Sequence, residues 1–139
     1  MRTLVWFREK DLRVADHRAL SAALKSTELI PLFLLKPAEE EVASFAVNPN
    51  QSQFLYDSLH ALERSIRALG SHLVVLRGRA LDVLPAVVEE WKVDKVFAQR
   101  TSVPSARMED EHLQELLGSR FDLLAGETLS VPGSIRTAA

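Results

Sequence analysis

The feature that most restricts this chain is a regular alternation. Short aliphatic runs of strand length recur between longer segments whose apolar residues repeat at three and four. That rhythm is the signature of an α/β domain built on a mostly parallel sheet. The expected strands are Thr3 to Phe7, Leu29 to Leu35, His72 to Arg77, Lys95 to Gln99 and Phe121 to Leu124. All but the last are nearly continuous apolar runs, as strands buried on both faces require. The expected fold class is a three-layer α/β/α domain with a mostly parallel, about five-stranded Rossmann-like sheet.

Four helices are expected between the strands. The first starts at Asp16 as its cap and turns Ala19, Leu20, Ala23 and Leu24 inward. The second has Asn50 and Gln53 as a capping box, a stripe of Phe54, Leu55, Leu59, Leu62, Ile66 and Leu69, and a stop at Gly70. Leu81 to Trp91 forms the third, with Pro85 near its start, and Pro104 to Leu117 the fourth, ending at Gly118. Lys36 to Pro49, with the acidic run Glu39, Glu40 and Glu41, reads as a solvated connecting loop. No repeat or interdomain linker interrupts the 139 residues, which form one domain.

Composition removes whole classes of chemistry. The chain has no cysteine, so disulfides, thiolate zinc sites and iron–sulfur clusters are excluded. A net charge of −2 offers no positive field for a phosphate backbone, so direct nucleic-acid binding is not expected. The apolar runs are far shorter than a membrane span, and no signal peptide opens the chain, which points to the cytoplasm.

In a doubly wound sheet, ligands bind beyond the carboxyl ends of the strands, where strand order reverses. The loops to inspect are Arg8 to Asp16, Lys36 to Pro37, Gly78 to Ala80, Arg100 to Pro104 and Ala125 to Leu129. The first has no glycine, which excludes a standard dinucleotide turn, and no P-loop is present. Glu109 and His112 stand three apart, but the motif occurs once and reads as a solvated face, as do Glu89-Glu90 and Glu109-Asp110-Glu111. Trp6 and Trp91 read as core and edge packing rather than an electron-transfer pair. Asp11 with Arg8 or Arg13 either forms a structural ion pair or leaves the arginines to grip an anion.

The string Leu4-Val5-Trp6-Phe7-Arg8, then Asp11-Leu12-Arg13-Val14-Ala15-Asp16-His17 and Ala19-Leu20, resembles the opening of the DNA photolyase and cryptochrome family. Leu29 to Leu35 with Pro37, Phe54-Leu55 with Ser58-Leu59, Leu73-Val74-Val75 with Arg77-Gly78, and Arg100 with Pro104, Arg107 and Asp110 agree in order and spacing. Thr128-Leu129 and Pro132 to Thr137 match the end of the family's first domain. The chain departs from the pattern at Glu9-Lys10, where one residue is usual, at Lys36 for Asp, at Arg79-Ala80 for Asp-Pro, and at Thr101, Val103 and Ser105-Ala106 for acidic positions.

The resemblance implies the amino-terminal α/β domain, which in many members carries an antenna chromophore: a folate, a deazaflavin or FMN. Family members hold FAD in a following helical domain, so FAD and photorepair catalysis are not expected in this chain. It would be a stand-alone protein or one domain of a longer one, with a helical FAD-binding domain or another protein as partner. For chromophore binding, strand-end positions nominate Phe7, Arg8, Leu35, Lys36, Arg77 and Arg100. An interaction module keeping the fold without a chromophore is the alternative, marked by an uncovered apolar face. A universal-stress type nucleotide-binding domain is a third reading, opposed by the glycine-free loops.

Overall fold

The computed structural model describes residues 1–125. The expected motif at Thr128-Leu129 and Pro132 to Thr137, and most of the Ala125 to Leu129 loop, lie outside the described residues. Five strands, β1 (Arg2–Phe7), β2 (Glu28–Leu35), β3 (Val74–Arg77), β4 (Lys95–Gln99) and β5 (Phe121–Leu124), form one sheet in the order β3-β2-β1-β4-β5. Every pairing is parallel, with Trp6 opposite Leu32 on one side and Ala98 on the other. β3 begins two residues later than the expected His72.

Helices cover both faces. α1 (Arg18–Ala23) and α3 (Pro49–Ala68) bury Ala19, Leu20, Ala23, Leu59, Leu62 and Ile66 against Val5, Phe7 and Phe33. α4 (Ala80–Glu90) and α5 (Pro104–Leu117) bury Leu84, Val88, Leu113 and Leu117 against Leu4, Trp6, Leu32 and Val96. Successive strand residues thus feed opposite cores, which is why the strands read as unbroken apolar runs. Trp6 packs in the second core as expected, with Trp91 at its edge.

Several local expectations are corrected. His17, not Asp16, caps α1: its Nδ1 accepts from the Leu20 amide at 3.1 Å. Asp16 takes a left-handed turn at φ 52°, a conformation short polar residues reach cheaply, and so hands the cap to its neighbour. Leu24 is the exposed residue just past this six-residue helix, not an inward one. The cap of α3 is Asn48 with Gln51, two residues before the expected Asn50 and Gln53. Pro49 fits the first helical position, where its missing amide is needed by no one. Phe54 and Leu69 are exposed, so the buried stripe of α3 is narrower than its apolar pattern.

Gly70, at φ 89°, does stop α3, with the Gly70 amide donating to the Arg67 carbonyl and the Ser71 amide to the Ile66 carbonyl. Pro85 is the sixth residue of α4, so the amide it lacks is one that would have bonded the Leu81 carbonyl rather than a free one.

The largest correction is α2 (Ala38–Val47), a helix where a loop is expected. Its acidic run Glu39, Glu40 and Glu41 fills the first turn, where negative charge suits the exposed amides and the helix dipole. Sequence periodicity gives no sign of it because α2 buries none of its residues.

Candidate functional site

The order of strands reverses between β1 and β4, and a cleft opens at their carboxyl ends. It encloses about 390 Å³ between the ends of β1 and β2, the starts of α4 and α5, and the start of α2. Trp6, Phe7, Phe33, Leu34 and Pro37 give it an apolar floor, and Arg8, Lys10, Lys36, Arg79 and Arg100 stand among its polar walls. A second hollow of about 380 Å³ lies between β2, α2 and α3, lined by Leu35, Val47, Leu55 and Tyr56. The two share Glu9, Phe33, Leu34 and Lys36, so they are lobes of one groove.

The walls are set by a polar network at the strand ends. Arg8 Nη1 and Nη2 each lie 2.9 Å from the Asp110 carboxylate, and Nη1 also donates to the Gln99 carbonyl at 3.3 Å. The same guanidinium sits 4.3 Å over the Trp6 ring. Asp11 is buried and accepts from the Arg8 backbone amide at 2.7 Å and from Gln99 Nε2 at 3.3 Å. Gln99 Oε1 in turn accepts the Arg18 amide at 2.8 Å, fixing the start of α1. Of the two readings of Asp11 with Arg8 or Arg13, neither holds as such for Asp11 and Arg8: Asp11 ties the loop down through the Arg8 backbone amide, and the Arg8 guanidinium pairs with Asp110 of α5.

Asp110 also corrects the solvated-face reading of Glu109-Asp110-Glu111, because it is buried. The signal was present, since Asp110 stands three and seven residues before the buried Leu113 and Leu117, on the same helical stripe. Burial pushes its carboxyl up, against the pull of Arg8 and Arg100. Glu109 faces the cleft half-buried, and burial pushes it up too, opposed by Arg8.

Of the six nominated residues, Phe7, Arg8, Lys36 and Arg100 line the cleft, and Leu35 lines the second lobe. Arg77 lines neither; its guanidinium donates to the Lys36 carbonyl at 2.8 Å and pairs with Glu41 at 3.0 Å. Arg79, where the family pattern has a capping Asp, leaves α4 without a side-chain cap and pairs with Glu40 instead. Sequence reasoning missed Trp6 and Glu109 as lining residues, and the whole α2 wall. Among the described residues no cluster of three or more histidines and carboxylates could hold a metal ion, and no helix is long and apolar enough to cross a membrane.

A doubly wound parallel α/β domain with a groove at its switch point defines the class. Residues 3–139 match the DNA photolyase family, and the chain belongs to that family. It is similar to a cryptochrome DASH of Gloeobacter violaceus, 40% identical over 97 residues, covering 67% of this chain and 19% of that protein. Similarity to the (6-4)DNA photolyase of Arabidopsis thaliana is 34% over 125 residues, covering 84% and 22%. Among solved structures, a class III photolyase from Agrobacterium tumefaciens superposes with a TM-score of 0.77 at 28% identity, over 98% of this chain and 28% of that one. The archaeal photolyase from Sulfolobus tokodaii shares the fold, with a TM-score of 0.73 at 24% identity over 99% and 32%. The chain spans about a fifth of the length of the curated relatives it matches.

Proposed function

We propose that this domain is a non-catalytic antenna module, holding a light-absorbing heteroaromatic chromophore in the groove at the strand ends. The observation that carries the reading is the two-lobed groove itself, with an aromatic and aliphatic floor and cations at the rim. A flat ring system lies across the strand ends against Leu34 and Pro37, beside Trp6, and Lys36 and Arg100 hold its acidic tail. Arg8 is committed to Asp110, so it shapes the wall rather than gripping the tail. Phe7 and Leu35 back the strand ends from the opposite core, and Arg77 acts at one remove through the Lys36 carbonyl.

The chromophore classes to try are a reduced folate, a deazaflavin and FMN. The Sulfolobus tokodaii photolyase, which shares the fold, was solved with two FAD molecules and the implication of a novel light-harvesting cofactor. A bound antenna passes excitation energy to FAD in a helical domain, the partner this reading requires, in the service of DNA photorepair or blue-light sensing. Equilibrium dialysis against each compound tests the reading. Saturable binding of one is expected, and no binding of any at tens of micromolar contradicts it.

A second reading, an interaction module, draws on exposed Val42, Phe45, Val47 and Phe54 along α2 and the start of α3. Sedimentation showing a monomer at every concentration, with no capture by a helical FAD domain, counts against it.

A further inference from the structure

α2 is held unlike any other helix of the described residues. The other four each anchor buried side chains in one of the two cores, whereas α2 buries none and packs mainly on α3. Its large apolar residues are exposed, Val42 by 70%, Phe45 by 49% and Val47 by 86%. What fixes it is a row of polar contacts. Glu40 pairs with Arg79 at 2.5 Å, Glu41 pairs with Arg77 at 3.0 Å and accepts from the Tyr56 hydroxyl, and Lys36 Nζ donates to Ser44 Oγ at 3.1 Å.

Those partners lie on β3, on the N-cap of α4 and on α3, so the latch ties α2 across the groove. Pro37 and Glu40 line one lobe, while Glu41, Ala43, Ser44 and Val47 line the other. The ends of α2 are natural pivots. Pro37 precedes it with no side-chain cap, and Asn48, at φ −145° and ψ 79°, both ends α2 and begins α3.

We propose that α2 is a lid over the groove, pivoting at Pro37 and Asn48 and held shut by the pairs Glu40–Arg79 and Glu41–Arg77. No residue of α2 is buried in either core, so opening vacates no core position, and it widens the groove that the two lobes share. Exposed ion pairs hold weakly and are screened by salt, so the closed lid loosens as ionic strength rises. What the lid encloses rests on the chromophore reading; that it opens does not.

Amide hydrogen exchange on the full chain without ligand tests the lid directly. Residues 42–47 are expected to exchange roughly tenfold or more faster than residues 59–66 of α3. Glu40→Gln combined with Glu41→Gln is expected to speed residues 42–47 a further threefold to tenfold, roughly, and to leave residues 59–66 unchanged. High salt should mimic the double variant. Equal protection of α2 and α3, or an α2 rate untouched by both the double variant and salt, would overturn the lid. Adding FMN separates the two proposals: fast, latch-dependent exchange of α2 that FMN does not slow supports the lid and counts against flavin in the groove.

Discussion

The Arg8 guanidinium and the Asp110 carboxylate meet fork to fork, both nitrogen–oxygen distances at 2.9 Å, across 102 positions of sequence. Side-chain exposures of 12% and 5% leave little water to replace either partner. Removing Asp110 strands a buried cation, so Asp110→Ala is expected to cost about 3–5 kcal/mol in urea unfolding. Replacing both residues with apolar ones of similar size, Arg8→Met with Asp110→Leu, should cost much less than the single change. A double variant as unstable as Asp110→Ala would show that the pair contributes more than the relief of a stranded charge.

Gly78, between β3 and α4, has φ 143°, and a Cβ there would stand 2.7 Å from Val83 Cγ2. Only glycine adopts that backbone readily, so Gly78→Ala should cost about 1–3 kcal/mol from strain, with the clash added. Combining it with Val83→Ala tests the clash alone: the second change should recover part of the loss caused by the first. Additive losses would mean that the contact with Val83 does not matter.

Asn48 caps α3 by accepting the Gln51 amide at 3.2 Å. Asn48→Ala is expected to lower stability by about 1 kcal/mol, read as a shift in the urea midpoint with an unchanged slope. Asn50→Ala, at the position the sequence pattern favours, should do almost nothing, because Asn48 already fills the cap.

Where sequence and structure agree, burial is the reason. The strands were legible because helices cover both faces, and α3, α4 and α5 because each carries a stripe into a core. α2 was not, because a helix with no buried face leaves no period to read. The cap of α1 passed from Asp16 to His17 through one left-handed turn, which spacing does not encode. At the groove, the strand-end rule located the wall positions. It could not tell that Arg8 is consumed by Asp110 or that Arg77 points at a backbone carbonyl, because those partners lie far off in sequence.

The Glu41 contact predicts a pH dependence. Its carboxyl is held below the ordinary 4.5, first by the Tyr56 hydroxyl and further by Arg77, while the same bond pushes Tyr56 up. A lowered carboxylate pKa contributes stability that is present above the unfolded value and lost as pH falls through the folded one. After correction for intrinsic exchange chemistry, protection of residues 42–47 should be steady from neutral pH to about pH 5 and fall below that. Glu41→Gln should flatten that profile; an unchanged fall in the variant would assign it to other carboxylates.

The chromophore claim is tested most directly by Trp6, which borders the groove while packing in the core, whereas Trp91, the residue that ends α4, lies at the edge of that core. In a Trp91→Phe variant the remaining tryptophan emission comes from Trp6, and titration with FMN, deazaflavin or reduced folate should quench it saturably. Lys36→Ala and Arg100→Ala should each weaken that binding about tenfold, the loss of one charge-assisted contact. No saturable quenching by any of the three at tens of micromolar, or quenching indifferent to both substitutions, would contradict the account.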